Sequence, residues 1–436
     1  MIVLRIARLL LVAAVAVQGV PVAHAVSPPP VDEKWLPAPA LPSPSQPTVQ
    51  REVCAVATTQ QTDLPAQLAD FDLPRVWRLT RGAGQRVAVI DTGVHRHPRL
   101  KDLSAGGDYV GNGDGTQDCD AHGTLVAGII AASEGSEFTG IAPDVTLISV
   151  RQSSSKFSPA SNRSSGVGDV QTLAKAVRTA ADLGASVINI SSVACVRAGD
   201  ALDDRALGAA LAYAVDVKNT VVVAAAGNTG AAMQCPPQPA NATRDTVAVV
   251  ASPAWYDDYV LTVGSVNSRG EPSSFTLAGP WLDVAAPGEG VTSLSPVNGE
   301  IANSVDGQPI SGTSYAAPVV SGVAALVRAR FPALTAREVM QRIESTAHHP
   351  AAGWDPLVGN GTVDILAAVS TDSVPPTVTS APKPVAAPPL ATPHAPERRP
   401  RDTAFGGTAI CVVALLAVAA STVRRRGSRA ERVAGH

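Results

Sequence analysis

The sequence predicts an α/β fold built on a mostly parallel, twisted sheet with helices on both faces. Between residues 75 and 370, apolar β-branched runs bounded by turn residues alternate with alanine-rich segments of helical spacing. The runs are hydrophobic at nearly every position, as in parallel strands that are covered on both sides. Alternation of such strands with helices is typical of an open α/β sheet.

Seven elements carry this prediction. The strands are Arg86–Asp91, Val145–Val150, Ser186–Ser191 and Thr220–Ala226, and the helices are Leu125–Ala132, Val170–Leu183 and Asp203–Val217. The chain has 436 residues, 45% of them hydrophobic, which is enough for one large domain with additional terminal segments. A formal net charge of −3 gives no reason to expect a nucleic-acid partner.

The N-terminal segment has the features of a secretory signal peptide. Residues 1–25 contain Arg5 and Arg8, an apolar stretch, and a final Ala23-His24-Ala25, the small-x-small pattern that precedes cleavage. The alternative is a first helix that stays in the membrane. The residues that follow, 26–74, form a Pro-rich N-terminal extension that is predicted to be extended over its first half.

The C-terminal segment has the features of a membrane anchor. Residues 371–403 form a Pro-rich linker, and residues 404–423 carry no charge and suffice to cross a hydrocarbon core of about 30 Å. Residues 424–436 begin with three arginines, which predicts a cytoplasmic tail and an extracytoplasmic remainder. A buried core helix is the alternative, but the remaining tail is short. The expected location is therefore the plasma membrane, with a single pass.

Three segments offer side chains for catalysis, in the order Asp, His, Ser. Asp91 ends a buried strand in VAVIDTGV, His122 precedes a helix in DAHGTLVAG, and Ser314 lies at a helix start in ISGTSYAAPVVSG. Taken singly, Asp91 reads better as a turn cap, His122 as a surface residue, and Ser314 as a helix N-cap. The carboxyl edge of a parallel sheet and a helix N-terminus are nevertheless places where active sites form.

Together the three segments resemble the signatures of the subtilisin (subtilase) family, D-T/S-G, H-G-T-x-V-A-G and G-T-S-x-A-x-P. Three motifs in this order make the resemblance specific, and it implies a subtilisin-like peptidase domain over residues 75–370. It implies that Asp91, His122 and Ser314 are a catalytic triad for peptide hydrolysis. In VVVAAAGNTG, the family resemblance gives Asn228 the role of oxyanion donor, against the alternative of a plain turn residue.

The resemblance also implies a substrate-binding strand. Ser191, Ser192 and Val193 occupy the place of the family's Ser-x-Gly, whose backbone pairs with the substrate. Valine at the third position is a departure that narrows the approach to the specificity pocket. A strand end without substrate contact is the alternative, and no preferred substrate residue follows from the sequence.

The cysteines indicate disulfide bonds. Cys411 lies in the predicted anchor, which leaves Cys54, Cys119, Cys195 and Cys235 for two bonds in an oxidising compartment. Sequence alone allows three pairings, and metal binding is disfavoured by the lack of CxxC spacing. With the resemblance to subtilases taken into account, the expected pairs are Cys54 with Cys119 and Cys195 with Cys235. The extension is too short for the family's folded prodomain, so it is either an atypical propeptide or a retained segment. A bond from Cys54 would fasten a retained segment to the catalytic domain.

No cofactor and no metal are expected. Subtilisins often carry a calcium loop after the His helix, but residues 133–139 here lack its oxygen donors. Glu134 and Glu137 are the only candidate ligands in that stretch and are read as solvated carboxylates. A Ser-rich loop, residues 152–168, is predicted to be flexible or cleavable and to overhang the site.

The order of segments resembles the mycosins, the membrane-anchored subtilases associated with type VII secretion in actinobacteria. This resemblance implies a serine endopeptidase that faces outward and processes a secreted protein substrate. It also implies the type VII membrane complex as a partner. The alternatives are a structural component of that complex, with proteolysis secondary, and a general degradative protease.

Overall fold

The computed structural model describes residues 26–60, 67–68, 70–135, 138–161, 166–230, 235–297 and 299–370. The strands are β1 Thr48–Gln50, β2 Ala57–Thr58, β3 Arg86–Asp91, β4 Leu103–Asp108, β5 Thr146–Arg151, β6 Phe157–Pro159, β7 Val187–Ile190, β8 Ala194–Arg197, β9 Val221–Ala225, β10 Val249–Ser252, β11 Leu261–Val266, β12 Val284–Pro287, β13 Ser293–Leu294, β14 Ile301–Ala302, β15 Ser304–Val305 and β16 Gln308–Pro309.

The α-helices are α1 Leu73–Trp77, α2 His122–Ala131, α3 Val170–Asp182, α4 Arg205–Ala212, α5 Thr313–Arg330, α6 Ala336–Ser345 and α7 Ile365–Ser370. A 3₁₀ turn at Glu33–Trp35 and a π-helical turn at Tyr213–Val217, which continues α4, complete the helical elements of the described residues.

Seven parallel strands form the central sheet, in the order β12-β11-β9-β7-β3-β5-β4. Strand β3 lies where the chain order changes direction, because β5 and β4 follow on one side and β7 onward on the other. In open α/β sheets, binding sites form at this switch point, outside the carboxyl ends of the strands. Asp91 is the last residue of β3.

The inner strands are buried along their whole length. β7, β9 and β11 have no exposed residue and no alternation of burial, so both faces of the sheet are covered. Helix α3 packs on α4 and against β3, β5 and β7, while α5 packs on α2 and against β7, β9, β11 and β12. The predicted α/β fold with a mostly parallel sheet is thus confirmed, and the seven predicted elements all form within a few residues of their expected bounds.

The N-terminal extension adds short strands to the domain surface. β1 pairs antiparallel with β6, and β2 pairs antiparallel with β15. Between them, a disulfide joins Cys54 to Cys119, and the backbone N–H of Ala55 donates to the carbonyl of Cys119. The second disulfide joins Cys195 to Cys235, so the two bonds are the pairs that the sequence analysis expects.

The Ser-rich loop is more ordered than expected in its described part. Residues 157–159 form β6, and both Ser154 and Ser155 donate their hydroxyls to the carboxylate of Asp120. The prediction of a flexible loop is wrong for residues 152–161, because its hydroxyls have a carboxylate partner and its backbone has a strand partner. Sequence composition alone shows neither.

Other predicted segments lie outside the described residues. These are the signal peptide (1–25), the linker (371–403), the membrane helix (404–423) and the basic tail (424–436). Among the residues that the structure does describe, no helix is both long and apolar enough to cross a membrane.

The Cys54–Cys119 bond, which spans 65 residues of sequence, is expected to stabilise the fold. Replacing both cysteines by serine should lower the free energy of unfolding by about 2–4 kcal/mol, because the unfolded chain regains the freedom that the closed loop removes. Denaturant unfolding measures this loss, and hydrogen exchange over residues 48–58 should quicken. The Cys195→Ser, Cys235→Ser variant is the control, since it leaves the extension attached. Equal exchange of the extension in both variants would contradict this role.

Candidate active site

Three elements bring the predicted triad to the carboxyl edge of the sheet. Asp91 ends β3, His122 begins α2, and Ser314 is the second residue of α5. His122 Nδ1 lies 2.7 Å from Asp91 Oδ1, and His122 Nε2 lies 3.0 Å from Ser314 Oγ. A carboxylate accepts only, so Nδ1 carries the ring proton and Nε2 is left to accept from the hydroxyl. Carboxylate, imidazole and hydroxyl therefore form one continuous hydrogen-bonded line.

The acidic surroundings raise the pKa of His122. Burial acts against the charged ring, but the charge and hydrogen bond of Asp91 outweigh it, with smaller help from Asp118 and Asp120. The Asp91 side chain is almost fully buried, while 27% of the His122 side chain remains exposed. The ring acts as a base only when neutral, so the reactivity of Ser314 should appear as the pH rises through this raised pKa.

A glycine allows the approach of α2 to the end of β3. A Cβ on Gly123 would lie 2.0 Å from the carbonyl oxygen of Gly93 and 3.2 Å from the Cβ of Asp91. Any side chain at position 123 would therefore push the helix start away from the strand end. The H-G pair in the second motif is thus a requirement of the 2.7 Å contact between His122 and Asp91.

Asn228 lies beside Ser314 in a suitable orientation for an oxyanion donor. Its Oδ1 accepts from the backbone N–H and the hydroxyl of Thr313, which fixes the amide and directs Nδ2 away from that contact. A Cβ on Gly312 would lie 3.1 Å from Ser314 Oγ and 3.4 Å from Asn228 Nδ2. The space between the hydroxyl and the amide is therefore kept open by glycine, and a carbonyl oxygen fits there.

The segment 191–193 divides into a buried and an outward part. Ser191 Oγ donates to the carbonyl of Ser314 at 2.9 Å and accepts from Asn189 Nδ2 at 2.9 Å. The Asn189 Oδ1 in turn accepts from the hydroxyl of Ser321 on α5. This relay joins the end of β7 to α5, the helix that carries Ser314. Val193 Cγ1 lies 3.6 Å from the position of a Cβ on Gly227, next to Asn228.

The second disulfide lies near the same turn. Cys235 Sγ is 3.1 Å from the Cβ position of Gly227, and Cys195 belongs to β8, which pairs with β10. Val193 and the disulfide thus line the same side of the Gly227–Asn228 turn.

Two residues near the triad were not predicted. Asp118 accepts hydrogen bonds from Thr92, the residue after Asp91, and from Thr124, the second residue after His122. Tyr315 packs its ring against His122, with centroids 4.9 Å apart. Burial, with help from the charges of Asp91 and Asp118, raises the pKa of the Tyr315 phenol, which therefore stays neutral. Both residues lie inside or next to the motifs, but no motif specifies them.

The described residues contain no group of three or more His, Cys, Asp or Glu side chains arranged to hold a metal ion. Glu134 forms an ion pair with Arg81 at 2.8 Å, and Glu137 lies outside the described residues. A cavity of about 740 Å³ opens between Phe71, Val266 and Ile365. Ser311 lies on its rim, but none of the triad residues lines it, so it is separate from the site described above.

Comparison with known proteins shows the family of this chain. A model of the subtilase family matches residues 82–361. Mycosin-4 of Mycobacterium tuberculosis (strain ATCC 25618 / H37Rv) is 69% identical over 97% of this chain and 97% of its own. The structure of the MycP3 protease from the type VII (ESX-3) secretion system is 45% identical over 80% of this chain and 100% of its own, with a TM-score of 0.74.

A chain of the intact ESX-5 inner membrane complex is also similar. It is 41% identical, and the match covers 91% of this chain and 100% of that one, with a TM-score of 0.76. The fold and the family match define a subtilase. Within the subtilases this chain belongs to the mycosins, and it is a serine protease.

The Ser191 relay generates a test with a neighbouring control. Ser191→Ala should lower the free energy of unfolding by about 1–3 kcal/mol, because it leaves the buried Asn189 amide and the Ser314 carbonyl without their partner. The Ser192 hydroxyl oxygen is buried without a hydrogen-bond partner among the described residues, so Ser192→Ala should change stability by less than about 0.5 kcal/mol. Denaturant unfolding compares the two, and equal losses would refute the relay.

Proposed function

We propose that this protein is a membrane-anchored serine endopeptidase whose catalytic triad is Asp91, His122 and Ser314. The observation that carries the proposal is the continuous line from Asp91 Oδ1 through the His122 ring to Ser314 Oγ, with distances of 2.7 and 3.0 Å. This is the arrangement that acyl transfer to a serine needs, with a base in contact with the nucleophile and a carboxylate that orients the base.

The steps of peptide hydrolysis follow from these contacts. Ser314 Oγ attacks the peptide carbonyl carbon while His122 Nε2 takes the hydroxyl proton. The ring then gives this proton to the departing amine, and a water repeats the sequence to release the acyl group. Asp91 holds the Nδ1–H tautomer throughout and stabilises the imidazolium that forms.

The negative charge on the carbonyl oxygen is met by two donors. Asn228 Nδ2 is one, since its Oδ1 is already held by Thr313. The backbone N–H of Ser314, in the first turn of α5, is the other, at a helix end whose dipole favours negative charge. Loss of one such donor typically lowers the rate about 100- to 1000-fold.

Substrate binding is assigned to the backbone of Ser191, Ser192 and Val193. These residues leave the carboxyl end of β7 directly beside the nucleophile, as the Ser191–Ser314 contact supports. An extended substrate would add to this segment by backbone hydrogen bonds. Val193, close to Gly227, narrows the space for the side chain that precedes the cleaved bond.

The segment order sets where the protease acts. We assign residues 1–25 to a signal peptide, 26–74 to the extension, 75–370 to the peptidase domain, 371–403 to a linker, 404–423 to a membrane helix and 424–436 to a cytoplasmic tail. The similarity to mycosin-4 along 97% of both chains supports this layout. The peptidase domain would then face the space outside the plasma membrane.

A type VII secretion complex is the partner that the relatives support. A related chain is part of the ESX-5 inner membrane complex, and the MycP3 protease belongs to the ESX-3 system. The substrate in this proposal is a secreted protein that such a complex exports. The same observation favours a second function, in which the protein also stabilises the complex and proteolysis is secondary.

The extension is assigned to the working enzyme rather than to a removable inhibitor. It adds β1 and β2 to strands of the peptidase domain and carries Cys54 of the Cys54–Cys119 bond. A cleaved chain would remain attached through this bond.

Replacement of Ser314 tests the proposed triad. Ser314→Ala should abolish labelling by a serine-directed phosphonate probe, because the variant lacks the hydroxyl oxygen to which the probe bonds. The control is Ser345→Ala, the same change on an exposed position of α6, which should label like the unaltered protein. Labelling of Ser314→Ala at the normal rate would contradict the triad.

The same variant tests the role in secretion. In a strain that lacks this protein, Ser314→Ala should leave the secreted substrate uncleaved. Restored export with an uncleaved substrate would show that the complex needs the protein as a structural component. Export that fails with Ser314→Ala and returns with Ser345→Ala would show that proteolysis is the essential function.

A further inference from the structure

Residues 118–120 form a loop just before α2. This loop contacts the two segments that carry Asp91 and His122. Asp118 Oδ1 accepts from the hydroxyl of Thr92 at 2.9 Å. Its Oδ2 accepts from the backbone N–H and the hydroxyl of Thr124, at 2.9 and 2.6 Å. One carboxylate thus joins the residue after Asp91 to the second residue after His122.

The two threonines pass this connection on to the backbone around the site. The Thr92 hydroxyl oxygen accepts from the backbone N–H of Gly123, which follows His122, and the Thr92 N–H donates to Asp91 Oδ1. The Thr124 hydroxyl oxygen accepts from the backbone N–H of His95. The start of α2 and the turn after β3 are therefore bonded to each other directly through these two threonines, and Asp118 adds a bridge between the two threonines.

We propose that Asp118 is a positioning residue for the catalytic pair, which holds the His122 ring in register with Asp91 by fixing Thr92 and Thr124. The proposal rests on the proposed function, since it gives Asp91 and His122 their catalytic roles. Asp118 contacts neither the nucleophile nor the space where a carbonyl oxygen fits, so it acts through its neighbours.

The charge of Asp118 adds an electrostatic effect. The titratable groups that face it are Asp91 at the end of β3, His122 on α2 and Tyr315 on α5. Asp120 contacts it through the backbone N–H, which donates to Asp118 Oδ1. Burial raises the pKa of Asp118 to about 6, against the hydrogen bonds from Thr124 and Thr92 that lower it. The charge of Asp118 is one of the causes that raise the pKa of His122. Protonation of Asp118 below about pH 6 therefore weakens its hydrogen bonds from Thr92 and Thr124. It also removes a negative charge that stabilises the His122 imidazolium.

The loop is held from its other side as well. Cys119 is bonded to Cys54, and Asp120 accepts from the hydroxyls of Ser154 and Ser155 at 2.5 and 2.6 Å. The loop that carries Asp118 is therefore fixed in position. The hydrogen bonds to Thr92 and Thr124 transmit that fixed position to the turn after β3 and to the first turn of α2.

The first variant is Asp118→Asn, compared with the unaltered protein by the rate of phosphonate labelling as a function of pH. Asparagine lacks the charge and offers one acceptor oxygen in place of two. The maximal labelling rate should fall about 10-fold with little change in the probe's half-saturating concentration. The acid limb of the pH–rate profile, where labelling rises as His122 loses its proton, should also move to lower pH by about half a unit. The reason is that the His122 imidazolium loses a nearby negative charge.

Asp114→Asn is the matched control. It makes the same change of charge in the loop that precedes α2, at a half-exposed carboxylate that caps Thr116 rather than bonding to Thr92 or Thr124. The labelling rate and the acid limb of Asp114→Asn should equal those of the unaltered protein.

A second pair of variants separates the hold from the charge. Thr92→Val removes the hydroxyl that joins Asp118 to Gly123 but retains the Asp118 carboxylate, so the labelling rate should fall while the acid limb moves less than in Asp118→Asn. Thr92→Ser retains the hydroxyl and should restore the rate. This pair decides the question if Asp118→Asn does not fold.

The outcomes are distinct. This proposal alone would be overturned if the unaltered protein labels normally and Asp118→Asn has the same rate and the same acid limb. Equal labelling rates for Thr92→Val and Thr92→Ser would also overturn it. Failure of the unaltered protein to label would overturn the proposed function, and this proposal with it. A slower Asp118→Asn with an acid limb that stays in place would refute the electrostatic effect.

Discussion

The hydrogen bond between Asp91 and His122 depends on a strand end and a helix start that lie within 2.7 Å of each other. Asp91 is almost fully buried, and an ionised carboxylate in such a place is costly unless donors surround it. The Thr92 N–H and the His122 ring supply donors to Oδ1, while Oδ2 is buried without a hydrogen-bond partner among the described residues. The contact therefore orients the ring and, at the same time, offsets part of the cost of a buried carboxylate at the carboxyl edge of the sheet.

The parallel sheet explains why distant parts of the sequence meet at this contact. The carboxyl ends of β3 and β7 lie side by side, and α5 packs across β7, β9 and β11 so that its first turn reaches the same edge. The Asn189–Ser191 relay then joins β7 to α5 directly at Ser314. Buried strands with no register freedom make this edge rigid, which is what an active site needs from its scaffold.

Much of this architecture follows from the sequence because it depends on local patterns. The buried strand before Asp91 and the alanine-rich helices have short-range signals, and the three motifs place the triad side chains on them. Strand β4, with its two glycines, and the short β1 and β2 lack such signals, since their pairing partners lie far away in the chain. Asp118 and Tyr315 escape prediction for a similar reason. Their roles come from contacts across the fold rather than from residue type.

The most direct measurement is the pKa of the His122 ring by NMR titration of the Ser314→Ala protein, assigned against a His122→Gln spectrum. With Asp91 bonded to the ring, the pKa should lie above the ordinary value of 6.5. In Asp91→Asn it should fall below 6.5, because burial, which disfavours the charged ring, is no longer outweighed by the carboxylate. A pKa at or below 6.5 that does not change on replacement of Asp91 would contradict the description of this pair.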